Sequence, residues 1–334
     1  AGRPNRVGVL NFKPDLIWIK ALGGTESHSW NDTVRGAGRR IISDSTGAEN
    51  AGGIAELTED GFVGSAGYGS DGDGSGHNFV AWCWKAGNET TVNDDGTHQT
   101  TVSVNKDAGF SIITYTGDVS GTSVQETIGH GLDETPEFVI VKDLTNTTNW
   151  RVYHKGLAAS GATATANTLY LNTTGAQTGA AARIADVNAT TITLGGGTDD
   201  GGGVIGNDRR HVAYAWHGVE GYSKFGTYVG NNNADGPFVY TGFKPAFTIC
   251  KRYESSSGAN WLMHDNKRNP YNPVDNYLIV EGTSSGQSDH VGSSVDYLSN
   301  GFKMRGTDSA TNASGGSYIY IAFAEMPFKY SRAR

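Results

Sequence analysis

The sequence predicts an all-β protein that is built from three tandem antiparallel β-sandwich repeats of the jelly-roll-like kind. Short alternating apolar runs are separated by clusters of Gly, Asn, Asp and Ser, which is typical of antiparallel strands joined by turns. Four sequence markers also recur three times in the same order. The length of 334 residues is too great for one core of ordinary size, so several units are expected.

The first marker is an octad that begins each core strand. Its copies are KPDLIWIK at 13–20, TPEFVIVK at 135–142 and KPAFTICK at 244–251. A proline opens each copy, as expected where the first residue of a strand need not donate a ladder hydrogen bond. Each octad ends on a lysine, and the apolar residues between indicate a strand.

The other three markers follow each octad at similar distances. A tryptophan comes first, and we expect Trp30, Trp150 and Trp261 to occupy equivalent positions. Two further strands complete each unit. They are DGFVGS (60–65) with FVAWCWK (79–85), TTITLG (190–195) with HVAYAWH (211–217), and NGFKMR (300–305) with YIYIAFAE (318–325).

Units two and three carry a leading strand that unit one lacks. SIITYTG (111–117) and GTYVGN (226–231) precede the second and third octads, whereas only VLNFKP precedes the first. Because an edge strand leaves backbone groups unpaired, we expect upstream chain or a neighbour to supply the missing strand. The predicted units are 1–88, 108–220 and 221–330, with a connector hairpin at 89–107 whose NDDG forms the turn.

Charge and hydropathy exclude two classes of partner. A net charge of −8 gives no general attraction to phosphate backbones, so we expect no nucleic-acid partner. The chain has no apolar run of about 18 residues, so we expect no membrane insertion. Cys83 and Cys250 lie in apolar strands of different repeats and are interpreted as buried thiols rather than a disulfide, which leaves the redox compartment open.

The residue patterns favour a protein that is not an enzyme and carries no cofactor. No strand shows the alternating carboxylates expected of a jelly-roll glycosidase, and the nine histidines lack metal-ligand spacing. In the loop SDGDGSGHN (70–78), Asp71 and Asp73 resemble the start of a calcium loop, but the twelfth position is Trp82 rather than Glu. Asp71 and Asp73 are therefore the metal candidates, and an ordinary turn is the preferred interpretation.

Two further patterns have both a structural and a functional interpretation. The acid and base in WNDTVRG (Asp32, Arg35) and in WLMHDNKRN (Asp265, Arg268) are interpreted as pairs that close a turn. The 15 Tyr, 12 Phe and seven Trp supply faces for sugars or anchors for a partner, although most are expected in the core.

Several segments together resemble a known family. They are KPDLIWIK, VRGAG and FVAWCWKAG in unit one, GFSIITYTG and FVIVK in unit two, and YSKFGTYVGN and ADGPFVYTGFKPAF in unit three. This pattern resembles the repeated β-domain of tail fibre-like structural virion proteins of marine bacteriophages. The resemblance implies a component of the particle surface with lectin-type jelly rolls, and it implies no catalytic residue. Unit two departs from the pattern through GATATAN and GGGTDDGGG.

The expected function is that of a phage virion surface protein, tail fibre-like or capsid-decorating, in particle structure and attachment to a host or other surface. Expected partners are other virion proteins and a host cell-surface glycan. A homo-oligomer is expected, with a trimer favoured because fibres and decoration proteins are commonly three-fold. The alternatives are a secreted carbohydrate-binding, lectin-like module and a polysaccharide depolymerase. The ligand, the host and the choice between tail and capsid stay open.

Overall fold

The computed structural model describes residues 6–65, 77–117, 125–157, 167–179, 184–195, 204–257, 259–286 and 289–325. Within these ranges strands dominate, and the helices are α1 (Ser309–Asn312) and a 3₁₀ turn at Val291–Ser293. The all-β prediction is therefore confirmed. None of the described residues belongs to a helix that has the length and apolarity needed to cross a membrane.

The first unit consists of two antiparallel sheets that enclose a small apolar cluster. Its strands are β1 (Arg6–Val7), β2 (Leu16–Ala21), β3 (Ser29–Asp32), β4 (Arg39–Ile42), β5 (Asn50–Ala51), β6 (Ile54–Thr58), β7 (Gly61–Gly64) and β8 (Phe79–Trp84). The larger sheet has the order β5-β4-β3-β2-β8, and the smaller has the order β1-β7-β6. Ile17 and Ile19 from the larger sheet pack with Ile54 and Phe62 from the smaller one.

The second unit repeats this arrangement and adds a hairpin. Its strands are β9 (Thr91–Asn93), β10 (Thr100–Asn105), β11 (Phe110–Gly117), β12 (Gln125–Gly129), β13 (Phe138–Asp143), β14 (Arg151–His154), β15 (Leu169–Tyr170), β16 (Ile184–Val187), β17 (Thr191–Gly195) and β18 (Arg209–Trp216). The larger sheet has the order β15-β14-β13-β18-β11-β10-β9, and the smaller has β12-β17-β16. The antiparallel pair β9–β10 lies in the segment expected to be a connector hairpin, and it extends the larger sheet.

The third unit has the same two sheets without the hairpin. Its strands are β19 (Ser223–Val229), β20 (Phe238–Tyr240), β21 (Phe247–Arg252), β22 (Leu262–Asp265), β23 (Tyr277–Ile279), β24 (Val295–Leu298), β25 (Gly301–Met304) and β26 (Ser317–Phe323). The larger sheet has the order β19-β26-β21-β22-β23, and the smaller has β20-β25-β24. In all three larger sheets the octad strand (β2, β13 or β21) therefore lies between the closing strand (β8, β18 or β26) and the strand that follows or contains the marker tryptophan (β3, β14 or β22). The exact unit boundaries stay a prediction.

The largest hydrophobic cluster contains side chains of all three units, because the larger sheets pack their outer faces together. The octad strands explain why. In β2, Ile17 and Ile19 face the sandwich of unit one, whereas Leu16 and Trp18 on the opposite face enter the shared cluster. A strand that is apolar on both faces needs cover on both sides. We expected three separate sandwiches, and the structure instead gives each sandwich its own small core and a larger core in common.

Aromatic rings join the units across the shared cluster. Trp30 of unit one lies 5.4 Å from Trp150 of unit two, measured between ring centroids. Trp84 of unit one lies 5.7 Å from Phe323 of unit three. Trp30, Trp150 and Trp261 are all at most 1% exposed within this cluster, but the equivalent positions expected for them are wrong. The register places Trp150 and Trp261 opposite the octad lysines Lys142 and Lys251, whereas Trp30 lies opposite Trp18 and His28 takes the place opposite Lys20.

Candidate functional site

The metal candidates Asp71 and Asp73 lie outside the described residues, so the calcium hypothesis stays a prediction. Among the residues that are described, no group of three or more His, Cys, Asp or Glu side chains is arranged to hold a metal ion. The contacts between units and the outer faces of the units are therefore the candidate sites.

Three buried lysines, one at the end of each octad, connect the units. None of their side chains is exposed, and each ammonium donates to at least one backbone carbonyl of its own unit and to one carbonyl of another unit. The contacts between units run from Lys20 to Thr283 O at 3.3 Å, from Lys142 to Thr46 O at 3.2 Å, and from Lys251 to Thr174 O at 3.0 Å. The direction is the same each time: unit one binds unit three, unit three binds unit two, and unit two binds unit one. The three units thus close into a ring within one chain.

Two of the marker tryptophans also donate hydrogen bonds to another unit, in the same direction around the ring. The Trp150 Nε1 atom donates to Ile42 O and Ser45 O of unit one, both at 3.0 Å. The Trp261 Nε1 atom donates to Tyr170 O of unit two at 3.1 Å. Ile42 and Tyr170 are the last residues of the equivalent strands β4 and β15. The side chains that fill the shared core therefore also satisfy strand ends in the neighbouring unit.

In unit one, His28 occupies the position of Trp150 and Trp261 and makes the equivalent contact. The His28 Nε2 atom lies 3.0 Å from the carbonyl oxygen of Ile279, which is the last residue of β23. The Trp18 indole N–H donates to His28 Nδ1 at 2.8 Å, so Nδ1 is an acceptor and Nε2 carries the proton. Burial, and next the nearby Lys20 charge, lower the pKa of His28 to about 3. The neutral ring therefore completes the third contact between units.

Stability is expected to fall in acid because of His28. Below pH 6.5 the unfolded chain binds a proton that the folded His28 does not take up until about pH 3. The contribution is complete above pH 6.5 and is lost as the pH falls from there towards 3, at about 1.4 kcal/mol per pH unit. His28→Gln is expected to flatten the slope by this amount in urea unfolding between pH 6 and pH 4, after normalisation at pH 8. An unchanged slope would show that His28 is protonated in the folded chain.

The sequence-predicted pair Asp32 and Arg35 forms a buried ion pair between units one and two. Arg35 Nε donates to Asp32 Oδ2 at 2.5 Å, and the Arg35 backbone N–H donates to Asp32 Oδ1 at 2.8 Å, which closes the turn as expected. Neither side chain is exposed. Tyr214 of unit two donates its hydroxyl to Asp32 Oδ2 at 2.7 Å, and the Glu49 carboxylate lies 3.3 Å from Arg35. The pair therefore ties the turn to the interface between two units.

The corresponding pair in unit three and its absence from unit two are explained by one strand position. Asp265 and Arg268 pair at 2.6 Å, and the Arg268 backbone N–H donates to Asp265 at 2.9 Å. Asp32, His154 and Asp265 end the equivalent strands β3, β14 and β22. In unit two the histidine Nε2 lies 3.1 Å from Tyr320 O of unit three, so this position again connects units.

Lys251 and Glu281 have shifted pKa values that would be notable in an active site. Burial lowers the pKa of Lys251 to about 8 and raises that of Glu281 to about 7. However, Glu281 accepts the backbone N–H of Trp261 at 3.1 Å, and Lys251 donates to the carbonyls of Thr174 and Ala259. Both groups are held by backbone atoms at the junction of units, which favours a structural role.

The outer face of unit three carries two exposed aromatic rings side by side. Phe238 is 46% exposed and Tyr240 is 59% exposed, and because they are two residues apart on β20 their side chains share one face. The Lys224 ammonium lies 4.9 Å from the Tyr240 ring centroid. Lys303, opposite Phe238 in the next strand, pairs with Asp235 at 2.5 Å. We call these five residues the unit-three aromatic patch.

The shared core itself offers little room for a ligand. A cavity lies at the meeting point of the three units and is lined only by apolar side chains, among them Trp30, Trp216 and Trp261. Its space is enough for roughly one water molecule, and an apolar cavity of this kind stays dry. Binding to a partner is therefore more readily placed on the outer faces.

The comparisons with known proteins give one match. The model of a domain of unknown function (DUF7483) matches residues 1–327. No curated protein and no solved structure matches. The match spans all three units, so they occur together as one family domain.

Proposed function

This chain belongs to the family defined by the domain of unknown function DUF7483, and we propose that it is a non-enzymatic surface protein of a virus particle. In this role it is tail fibre-like or capsid-decorating and acts in particle structure and in attachment to a host or other surface. The single observation that carries the proposal is the ring of contacts that closes three β-sandwiches around one aromatic core.

A closed ring of sandwiches suits a scaffold more than a catalyst. The buried charged groups described above, such as Lys20, Lys251 and the Asp32–Arg35 pair, are bound to carbonyls or to each other at unit junctions. Charged groups that are held in this way in a low-dielectric interior make the junctions rigid, and they are buried rather than presented to a substrate. The resemblance to tail fibre-like virion proteins supports the same role and adds the location.

The unit-three aromatic patch supports a second candidate function, glycan binding, either on the particle or as a secreted lectin-like module. Neighbouring exposed rings give flat apolar faces, and flanking charged groups can bind hydroxyls, which is how protein surfaces hold a partner that is partly apolar and partly polar. Both rings lie on β20, which is a strand of the smaller sheet of unit three. Under the main proposal this patch is the surface that contacts the host glycan.

A homo-oligomer, with a trimer favoured, stays part of the proposal, but one of its premises has changed. The apolar outer faces of the larger sheets are covered within the chain by the other two units. The remaining premise is the resemblance to fibres and decoration proteins, which are commonly three-fold.

The particle location is tested by quantitative mass spectrometry of purified virions and of the medium from the same culture. The expected result is this chain at a fixed copy number per particle, retained after a density gradient. Recovery only in the soluble fraction would contradict the virion assignment and would favour the secreted module.

Attachment through the patch is tested with the double variant Phe238→Ala/Tyr240→Ala. Loss of both rings is expected to reduce binding of the purified chain to host cells at least about tenfold, because aromatic anchors carry most of the energy of a small contact surface. The control is Tyr271→Ala, since Tyr271 is 83% exposed and lies outside the patch. Equal binding by the double variant and the control would exclude this surface as the attachment site.

A further inference from the structure

Among the described residues, the larger sheet of unit one has a vacant strand position. The closing strands β18 and β26 each pair with two neighbours, the octad strand and a leading strand, β11 or β19. In the described part of the chain, the equivalent strand β8 pairs only with β2. The side of β8 that would pair with a leading strand is therefore unoccupied by described residues.

The backbone groups on this free side can be identified from the register. The N–H of Leu22 donates to Asn78 O, so the 22–78 pair is a hydrogen-bonded one, and in an antiparallel ladder every second pair is of this kind. The N–H and C=O groups of Val80, Trp82 and Trp84 therefore point towards β2. Those of Phe79, Ala81 and Cys83 point to the free side.

In units two and three a leading strand fills this position, and a tyrosine lies near the end of that strand. Tyr115 of β11 is stacked on His211 of β18, with ring centroids 5.0 Å apart and an interplanar angle of 8°. Tyr228 of β19 is stacked on Tyr318 of β26 at 4.8 Å, also at 8°. Phe79 is the equivalent residue of β8, since each of the three lies opposite the last position of an aligned octad strand. Among the described residues Phe79 has no stacking partner, and it is only partly buried.

The two leading strands also share a short sequence signature. In each, a threonine precedes the stacked tyrosine, and the tyrosine hydroxyl donates to a backbone carbonyl inside the sandwich. These bonds run from Tyr115 to Val204 O at 2.6 Å and from Tyr228 to Thr311 O at 2.7 Å. Three residues before the tyrosine, Ile112 and Phe225 enter the shared core. The sequence pattern that fits the position is thus an apolar residue followed three positions later by the tyrosine of a Thr-Tyr pair.

We propose that the free side of β8 binds an extended segment of a different polypeptide as an added antiparallel strand. The tyrosine of its Thr-Tyr pair stacks on Phe79, and its apolar residue lies opposite Trp82 in the shared core. A strand added at a sheet edge gains affinity from main-chain hydrogen bonds and specificity from alternate side chains. Within these 334 residues a second copy has no spare segment of this kind, because Thr-Tyr occurs only at 114–115 and 227–228 and both strands are already paired. This inference does not depend on a virion location.

The probe is a synthetic peptide with the sequence of residues 109–117, GFSIITYTG, added to the full chain. Hydrogen exchange is measured at single amides of β8. In the free chain we expect fast exchange at Phe79, Ala81 and Cys83, and slow exchange at Val80 and Trp82, which are the internal controls. With peptide, the three outward amides are expected to slow by at least about tenfold.

Two control peptides separate strand addition from adhesion to the apolar surface. A peptide N-methylated on its β8-facing amides keeps every side chain but cannot form the ladder, and it is expected to give no protection. A peptide with alanine for tyrosine is expected to bind at least about tenfold more weakly. The same loss is expected for the intact peptide with the Phe79→Ala chain, and an Ala81 variant, Ala81→Ser, is expected to bind normally.

Three results would overturn the proposal. Slow exchange at the outward amides of the free chain would show that the edge is already closed. No protection by the intact peptide at millimolar concentration would show that the position does not accept a strand. Protection that grows with the concentration of the chain alone would make a second copy the occupant.

Discussion

Replacement of Trp150 by alanine is expected to lower the free energy of unfolding by about 3–5 kcal/mol. The side chain is completely buried where units one and two meet, and its removal leaves a cavity among rings that belong to a sheet framework and cannot easily collapse. It also leaves the carbonyls of Ile42 and Ser45 without the indole donor. The measurement is equilibrium unfolding in guanidinium chloride.

The control for Trp150→Ala is Tyr271→Ala, which removes an aromatic ring that is 83% exposed. Its effect is expected to stay within about 0.5 kcal/mol. If both variants change stability equally, the ring of Trp150 does not lie in a shared core.

Asp32→Ala is expected to have a similarly large effect, about 3–5 kcal/mol, because it leaves the buried Arg35 guanidinium without its closest carboxylate. Glu49 is 3.3 Å from the same guanidinium and does not replace the two bonds that Asp32 accepts from Arg35. Tyr214 also loses its acceptor. Unfolding is again measured in guanidinium chloride.

An exposed pair provides the comparison. Arg6 and Asp60 lie 2.9 Å apart at the surface, and Asp60→Ala is expected to change stability by no more than experimental error. The double variant Asp32→Leu/Arg35→Met is expected to be more stable than Asp32→Ala, since no unpaired charge remains buried. A double variant as unstable as Asp32→Ala would contradict the assignment of the loss to an orphaned charge.

Much of the strand framework could be predicted from the sequence. The three octads and the turn-closing pairs Asp32–Arg35 and Asp265–Arg268 depend on local patterns, and local patterns are visible in one sequence. The leading strand that unit one lacks was visible in the same way, although it did not identify β8 as the strand beside the vacant position. These features repeat along the chain, so each copy supported the others.

The shared core was missed although a signal was present. In the first octad, Ile17 and Ile19 alternate with Leu16 and Trp18, so both faces of the strand are apolar. Such a pattern requires two covering layers, and a sandwich with a solvated outer face supplies only one. Alternation of apolar residues indicates that a strand face is apolar, but it does not indicate which distant element covers that face.

The contacts between units could not have been predicted residue by residue. His28 replaces a tryptophan as donor to Ile279 O, and the two residues are 251 positions apart in the chain. The lysines that end the octads were visible in all three copies, yet a lysine at a strand end is usually solvated. Phe238 and Tyr240 follow the same alternation as core aromatics, so the sequence did not mark them as exposed.

The central claim is that the three units are one cooperative body and not three independent domains in a row. Differential scanning calorimetry under reversible conditions tests it, because the ratio of the calorimetric to the van't Hoff enthalpy counts cooperative units. We expect one transition with a ratio of about 1, since unfolding any unit exposes the core that the other two share. Three transitions, or a single transition with a ratio of about 3, would contradict the account.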